Sequence, residues 1–593
     1  MRFHLLGVGS IGSLFATHLS SLPSAQVRLI LRRKDLAAQL LNSPTAGGVS
    51  SNSGADAKHP HGTIRLERDG LVRRVSNLEM ELTRNPSELA STRSTSPTSS
   101  SRATPKVDPA AWLRNDPIDT LIVTTKAPST LPAIRHLLPR LSSRSTIVLC
   151  QNGMGVLEGI LEKYFPEDRS DILEQEDEAD AAGGTDARRW RLRHGGRPSF
   201  VCATTTHGAW RKGGGHFVHA GMGDIKFGVL PNRAVLSSLS TYPDPSWASP
   251  SDNPLLNPRS TLMPTLDHLP STPATANLRE TIASLLACPD LQASWLPLPT
   301  LEIAQLQKLA VNASVNSLTA LMGVNNGALV GSPKAKQLVR TVTEECGAVF
   351  AAHVARQEGT WEPRPRDSDG DDARVDAAHP APSPLPSHHP LSPDSLLTHT
   401  LTVLFKTSSN VSSTLADLIP LHSRSSFSVD NGPSLPSRTE IEYINGYVTA
   451  LGTRYGIETP VVTALGELVL LKEEMGRVGA IDKVWQSSSR RLRPVEARDP
   501  SPSTSAARRN KSIFASSPSP SPSPSPSPSS RSGSEEEEEE RMQEGGVRRT
   551  TPQKKRAFKR AEMYARVERD RAERSREREI ERIQRARGDH EAG

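Results

Sequence analysis

A chain of 593 residues with 35% hydrophobic residues, 4% aromatics and 48 prolines is long enough for two or three domains but too polar to be packed throughout. Its four cysteines are far apart and lack CxxC spacing, which argues against a zinc site and a secreted disulfide framework and favours a reducing, cytoplasmic compartment. No apolar run approaches the roughly 20 residues of a membrane span, and the first predicted strand is expected to leave no room for a cleaved leader peptide. The mild net charge of +7 is compatible with anionic ligands.

A glycine-rich turn between a strand and a helix opens the chain. The sequence predicts a strand over RFHLL, a helix after GVGSIG at 7–12, and a second strand over VRLIL at 27–31. This order is typical of dinucleotide binding, because Gly7 permits a tight turn, Gly9 lets the backbone approach a pyrophosphate and Gly12 allows close packing of helix on strand. A purely structural glycine turn is the alternative. The other residues of the loop are Val8, Ser10 and Ile11.

The residues after the second strand bear on the choice of cofactor. Chains that bind NAD usually carry an acidic residue there, whereas this chain has Arg32, Arg33 and Lys34. These cations suit a 2′-phosphate, so the sequence favours NADP(H) over NAD(H). Asp35 is the argument for NAD(H).

Two further loops follow predicted strands of the same sheet. Lys126 ends the strand DTLIVTTK, and Asn152 lies in QNGMG after the strand STIVLC. Open α/β sheets place ligands at the carboxyl ends of their strands, so both side chains are expected beside the glycine loop. Taken alone, they would be an ordinary surface charge and an ordinary turn.

Segments of low complexity divide the chain into three predicted parts. The first domain, 1–298, contains insertions at about 42–110, 166–197 and 231–277, with a possible hairpin at the Asp69–Gly70 turn. The second domain, 299–485, is helical and contains insertions at about 359–393 and 420–437. A tail over 486–593 carries a Ser-Pro linker, an acidic run and a charged helix.

A nearly apolar helix, QLQKLAVNASVNSLTAL at 305–321, carries a narrow polar stripe. Lys308, Asn312 and Asn316 are four residues apart, which places them one above another on a regular helix. A solvated face is the usual explanation for such spacing, but a helix that is otherwise apolar is normally buried. Buried polar groups need partners, so we expect the stripe to face a polar cavity or a ligand.

These motifs together resemble the ketopantoate reductase (2-dehydropantoate 2-reductase) family. The matching pieces are GVGSIG, VTTKA, QNGMG, TTTHGA, KLAVNASVNSLTAL, NNG, SST and TEIEYING, in family order over about half of the chain. The resemblance implies an N-terminal α/β Rossmann-like dinucleotide-binding domain and an all-α C-terminal domain similar to that of 6-phosphogluconate dehydrogenase. The active site of such a protein lies in the cleft between them.

The resemblance also implies roles for individual residues. Those matching the NADPH-binding set are residues 7–12 with Arg32, Lys126, Asn152, Ala209 and Glu440. Those matching the substrate-binding set are Asn152, Asn312, Asn316, Asn326 and Ser413. Lys308 matches the catalytic lysine, and Glu440 is expected to act with it in catalysis by countering its charge. The implied reaction is reduction of 2-dehydropantoate, a 2-oxo acid, to (R)-pantoate with NADPH, a step towards pantothenate and coenzyme A. The segment between Asp417 and Thr439 is longer than in the family.

The sequence leaves several alternatives open. The same residues could serve another 2-oxo acid or ketone, since they specify polar anchoring of the substrate. A further alternative is a non-catalytic relative with an RNA-binding basic tail at 541–588. Apart from that tail, neither nucleic acid nor a membrane is an expected partner. A homodimer is compatible with the family, and mitochondrial or nuclear targeting of the chain stays open.

Overall fold

The computed structural model describes residues 1–32, 34–41, 60–83, 114–165, 196–241, 253–257, 259–362, 382–419 and 438–477. All of them belong to one compact unit, Met1–Val495. The predicted tail over 486–593 and the predicted insertion over 420–437 lie outside the described residues. None of the helices in the described ranges is long and apolar enough to cross a membrane.

The first part of the chain is built on a single mixed sheet. Among the described residues its strands are β1 (Arg2–Leu6), β2 (Gln26–Leu31), β3 (His61–Arg68), β4 (Leu71–Leu82), β5 (Thr120–Val123), β6 (Thr146–Leu149), β7 (Ser199–Thr205), β8 (Gly208–Gly213), β9 (His216–Gly221), β10 (Ile225–Leu230) and β11 (Ala293–Trp295). Their order is β11-β10-β7-β6-β5-β1-β2-β4-β3-β9-β8. The strands from β7 through β6, β5 and β1 to β2 pair in parallel. Because helices cover both faces, β5 and β6 are buried along their whole length and are apolar after their first residue, a threonine in each strand.

Helices pack on both faces of this sheet. They are α1 (Ser10–Leu19), α2 (Lys34–Leu41), α3 (Ala127–Arg135), α4 (Val156–Tyr164), α5 (Arg233–Thr241) and α6 (Ala276–Leu286). Phe3 and Leu5 of β1 point into the core that contains α1, whereas Leu6 points into the core that contains α3 and α4. This alternation follows from the two-residue period of a strand. Helix α1 also contacts β3, β8 and β9, so the sheet curves around it.

The segment 231–277, interpreted from its composition as an insertion, contributes to the core. Helix α5 lies there, and its Val235 and Leu239 are each 1% exposed within the main core, together with Leu269. The Ser- and Pro-rich composition of the segment concealed one apolar pair with helical spacing. The hairpin predicted within 42–110 is confirmed as β3–β4, with positive φ at Asp69 and Gly70.

The second part of the described chain is entirely helical. It comprises α7 (Leu298–Val311), a π-helical turn (Asn312–Asn316), α8 (Ser317–Met322), α9 (Gly327–Val330), α10 (Pro333–Glu358), α11 (Pro393–Lys406), α12 (Ser413–Leu418), α13 (Asn445–Tyr455) and α14 (Pro460–Arg477). Serines cap α10, α11 and α12 by accepting a hydrogen bond from a first-turn N–H. Helix α10 packs against α11, α13 and α14 in a separate core. The predicted order of an α/β domain followed by a helical domain is confirmed.

Candidate active site

The glycine loop joins β1 to α1 in a conformation that needs glycine. Gly7 has φ of 100°, and a Cβ there would meet the backbone N of Thr125 at 2.5 Å. A Cβ at Gly12 would collide with the carbonyl oxygen of Gly7. A Cβ at Gly9, by contrast, would have no atom within 4 Å. Gly7 and Gly12 are therefore required by packing, whereas Gly9 faces open space.

The space above Gly9 suits an anionic group. Gly9 caps α1 without a side-chain hydrogen bond, and the first turn of α1 has no acidic residue. Free N–H groups and the helix dipole at this end favour phosphate. Arg32 is exposed immediately after β2, while Arg33 and the side chains of Lys34 and Asp35 lie outside the described residues. The loop thus fits a dinucleotide.

Glu440 connects the helical domain to the loop after β5. Its carboxylate is buried and accepts hydrogen bonds from Lys126 Nζ at 3.0 Å, from the backbone N of Ala127 at 3.2 Å and from Asn152 Nδ2 at 3.2 Å. The structure therefore brings together three residues that the sequence assigned to cofactor binding, although Glu440 is more than 280 residues from the other two.

Asp417 is a member of this cluster that sequence reasoning missed. Its Oδ2 lies 2.9 Å from Lys126 Nζ, so Lys126 is held by two carboxylates. Burial acts to lower the pKa of Lys126, but Glu440 and Asp417 outweigh it and raise the pKa above its ordinary value. The available signal was the spacing of Asp417, one helical turn after Ser413 in α12.

Lys308 reaches the same cleft from α7. Its Nζ donates hydrogen bonds to Asn152 Oδ1 at 3.0 Å and to the backbone oxygen of Thr205 at 2.8 Å. Burial lowers the pKa of Lys308, and Cys150, Glu440 and Asp224 offset only part of that effect. Asn152 is shared, because its amide oxygen accepts from Lys308 while its amide nitrogen donates to Glu440.

A small cavity lies where α7 meets the loops after β6 and β7. It is lined by Gln151, Gly153, Thr204, Gln305, Lys308, Leu309 and Asn312. The predicted stripe thus supplies two of the lining residues, Lys308 and Asn312. Gln305 was not predicted, although its position three residues before Lys308 places it on the same helical face.

The regular helix predicted at 305–321 is wrong at its centre. Residues Asn312–Asn316 form a π-helical turn, which changes the angular relation between Lys308 and Asn316. Asn316 does not line the cavity; its Nδ2 donates to Ser413 Oγ at 3.4 Å. Asn326 is also elsewhere, since its Nδ2 donates to Thr407 Oγ1 at 2.9 Å.

Side-chain hydrogen bonds accompany the π-turn. Ser314 Oγ donates to the carbonyl oxygens of Ala310 and Val311, and Thr319 Oγ1 donates to those of Val315 and Asn316. Such bonds satisfy carbonyl groups that a π-turn leaves without a regular partner. Asn445 of α13 adds a bond to the carbonyl oxygen of Ala313 at 3.4 Å.

The final predicted cofactor residue, Ala209, lies in β8 near the end of the sheet. It pairs with His219 and packs partly buried against the core around α1. The structure gives it no contact with the Lys308 cluster among the described residues. Its assignment to cofactor binding stays a prediction.

Comparisons with known proteins agree with this architecture. The family model "Ketopantoate reductase PanE/ApbA" matches residues 3–232, and "Ketopantoate reductase PanE/ApbA C terminal" matches 301–423 and 435–473. A Schizosaccharomyces pombe protein named "Probable 2-dehydropantoate 2-reductase" is 28% identical over 348 residues, covering 58% of this chain and 71% of that protein. The Saccharomyces cerevisiae "2-dehydropantoate 2-reductase" is 23% identical over 377 residues, covering 62% and 78%.

A relative named for a different substrate is also similar. The "Ketoisovalerate reductase BEA2" of Gibberella intermedia is 22% identical over 345 residues, covering 56% of this chain and 63% of that protein. The two family models together span both folded domains. The chain therefore belongs to the ketopantoate reductase family, whose members are oxidoreductases that act on a small molecule with a nicotinamide dinucleotide.

Proposed function

We propose that this protein reduces 2-dehydropantoate to (R)-pantoate with NADPH, a step towards pantothenate and coenzyme A. The observation that carries the proposal is the environment of Lys308. Its ammonium is bound only by a neutral amide and a backbone carbonyl within the described structure, and it lines a cavity between the two domains. Such an ammonium is suited to polarise a carbonyl and to donate a proton.

The geometry of Lys308 supports its role as the proton donor. An ammonium has three N–H groups, and two of them are used by Asn152 and Thr205. The third is available for a substrate carbonyl oxygen, which must gain a proton as its carbon gains a hydride. When bound, NADPH supplies that hydride. Asn152 and the Thr205 carbonyl hold Nζ in place, so the donor is oriented before substrate binds.

Glu440 completes the proposed machinery from the other side of Asn152. Its carboxylate lies against the backbone N–H of Ala127, at the start of α3, and against Lys126. Burial lowers the pKa of Lys308, and Glu440, which forms no direct ion pair with it, offsets only part of that lowering. We assign to the cofactor the glycine loop with Arg32, Lys126, Asn152, Ala209 and Glu440, and to the substrate Asn152, Asn312, Asn316, Asn326 and Ser413.

The preference for NADPH rests on the end of β2. Arg32 is exposed there, and an arginine beside a ribose can bind a 2′-phosphate through two parallel hydrogen bonds, in bidentate geometry. The purified protein should therefore oxidise NADPH much faster than NADH in the presence of ketopantoate.

The decisive experiment measures ketopantoate-dependent oxidation of NADPH at 340 nm. The wild-type chain should be active, and Lys308→Ala should lose at least about a hundredfold in kcat, the usual contribution of a positioned proton donor. Lys334→Ala is a matched control, because Lys334 is exposed on α10, outside the cavity, and its Nζ donates to Gln337. An inactive wild-type protein, or a Lys308→Ala variant with normal kcat, would contradict the proposal.

A second candidate is the reduction of another 2-oxo acid, which the relative named ketoisovalerate reductase favours. A panel of 2-oxo acids ranked by kcat/KM decides between the two.

The domain limits 1–298 and 299–485 also stay proposals, as does the tail, which lies outside the described residues. Removal of 487–593 should leave turnover intact, since every assigned site residue precedes it.

A further inference from the structure

We propose that Gln305 is a specificity-determining residue that binds the hydroxyl group of the substrate. The inference deepens the proposed function and rests on it. Gln305 is absent from the predicted stripe, but it lines the cavity that contains Lys308 and Asn312. The π-turn removes Asn316 from that lining, so the stripe that faces the cavity consists of Gln305, Lys308 and Asn312.

The spacing of these three residues suits a short, branched acid. They occupy positions i, i+3 and i+7, so all lie on one face of α7 and of the turn that follows it. At about 1.5 Å per residue, the two amides are roughly 10 Å apart along the helix axis, with Lys308 between them. A 2-oxo acid whose carbonyl oxygen contacts Lys308 extends its carboxylate to one side and its carbon chain to the other. The proposal places the substrate along the helix axis, with one end at Asn312 and the other at Gln305.

The amides of Gln305 and Asn312 are available for such contacts. Neither has a hydrogen-bond partner among the described residues. Two neighbouring polar side chains of the cavity are already engaged, because Gln151 Nε2 donates to Thr130 and Lys308 donates to Asn152 and Thr205. A polar group that lines a cavity without a protein partner is suited to a ligand.

The hydroxyl is the substrate group that Gln305 fits. An amide both donates and accepts hydrogen bonds, as does a hydroxyl, whereas a carboxylate only accepts. Of the residues assigned to the substrate, Asn312 lines the cavity on the C-terminal side of Lys308, and the proposal places the carboxylate at that end. Gln305 lies alone on the other side of Lys308 within α7. A site that binds a substrate hydroxyl discriminates against analogues that lack it.

The test compares two substrates that differ only in this hydroxyl. Ketopantoate and 3,3-dimethyl-2-oxobutanoate share the carboxylate, the carbonyl and the branched carbon. We expect Gln305→Met to lower kcat/KM for ketopantoate roughly tenfold, the effect of one lost hydrogen bond in a partly desolvated site, and to leave kcat/KM for the deoxy analogue unchanged. Methionine keeps the length and helix propensity of glutamine.

A control variant lies two residues away on the same helix. Gln307 Nε2 donates to the carbonyl oxygen of Pro390, outside the cavity, so Gln307→Met should leave the ratio of the two kcat/KM values as in the wild type. Equal loss on both substrates, or an unchanged ratio in Gln305→Met, would overturn the inference while leaving the proposed function intact. A wild-type protein that fails to reduce ketopantoate would overturn the proposed function itself. Thermal denaturation of both variants excludes a folding defect as the cause.

Discussion

Glu473 fixes the chain segment that carries Glu440, and its removal should damage both stability and cofactor binding. Glu473 of α14 is 5% exposed. Its Oε2 accepts hydrogen bonds from the backbone N of Thr439 at 2.8 Å and from Thr439 Oγ1 at 2.7 Å. Thr439 directly precedes Glu440, so Glu473 acts on the proposed site through one peptide bond.

The size of the effect follows from the two hydrogen bonds. Thr439 is 2% exposed, so Glu473→Ala leaves a buried N–H and a buried O–H without their acceptor, at about 1–3 kcal/mol each. We expect the free energy of unfolding to fall by about 3 kcal/mol. In Glu473→Gln, one amide oxygen can accept both bonds, as Oε2 does now, so the loss should stay near 1 kcal/mol.

The assay combines two measurements: the free energy of unfolding from denaturation, and the affinity for NADPH from the change in NADPH fluorescence on binding. Glu473→Ala should weaken NADPH binding about tenfold, and Glu473→Gln should bind nearly as the wild type does. A double-mutant cycle with Glu440→Gln shows the route of the effect. If Glu473 acts by positioning Glu440, the two losses of affinity overlap in the double variant. Fully additive losses, or equal stability of the Ala and Gln variants, would refute this reasoning.

The glycine loop and Lys308 give two further predictions. Gly9→Ala should keep the denaturation midpoint of the wild type, because nothing lies within 4 Å of the added Cβ. It should nevertheless weaken NADPH binding at least tenfold, because the methyl group fills the space for the phosphate. Gly7→Ala should instead lose about 2 kcal/mol of stability, since φ is 100° and the Cβ meets the backbone of Thr125. The value of kcat should fall as pH rises, because the donating ammonium of Lys308 is lost on deprotonation. The midpoint should lie below the ordinary lysine pKa of 10.5, since burial lowers the pKa of Lys308. A profile flat to pH 10.5 would contradict the assignment of Lys308 as the proton donor.

The sequence predicted the centre of the sheet better than its extension. The parallel strands of the first domain are short apolar runs followed by characteristic loops, so their type and order could be read locally. The pairing of β3 with β9 could not, because it joins residues about 150 positions apart and depends on packing around α1. Helix α5 was missed since its composition is that of a loop.

The sequence could predict which site residues lie close together where the order of the strands alone determines it. Lys126 and Asn152 follow adjacent parallel strands, so their meeting at one edge of the sheet follows from the order of the strands. The π-turn was not predictable from its own residues. Asn445 donates to the carbonyl oxygen of Ala313 within this turn from 132 positions away, and a regular helix satisfies the same local pattern.

The two lysines of the cleft lie in opposite electrostatic environments. Lys126 has two carboxylates within 3.0 Å, and they raise its pKa. Lys308 has no carboxylate within ion-pair distance in the described structure, and burial lowers its pKa. Neighbouring titratable groups whose pKa values are pushed apart take different roles in catalysis. Lys126 is suited to remain charged and to hold an anionic cofactor against Glu440. Lys308, whose pKa burial lowers, is the lysine suited to the proposed role of proton donor. Asn152 accepts from Lys308 and donates to Glu440, so a neutral amide lies between the proposed donor and that carboxylate.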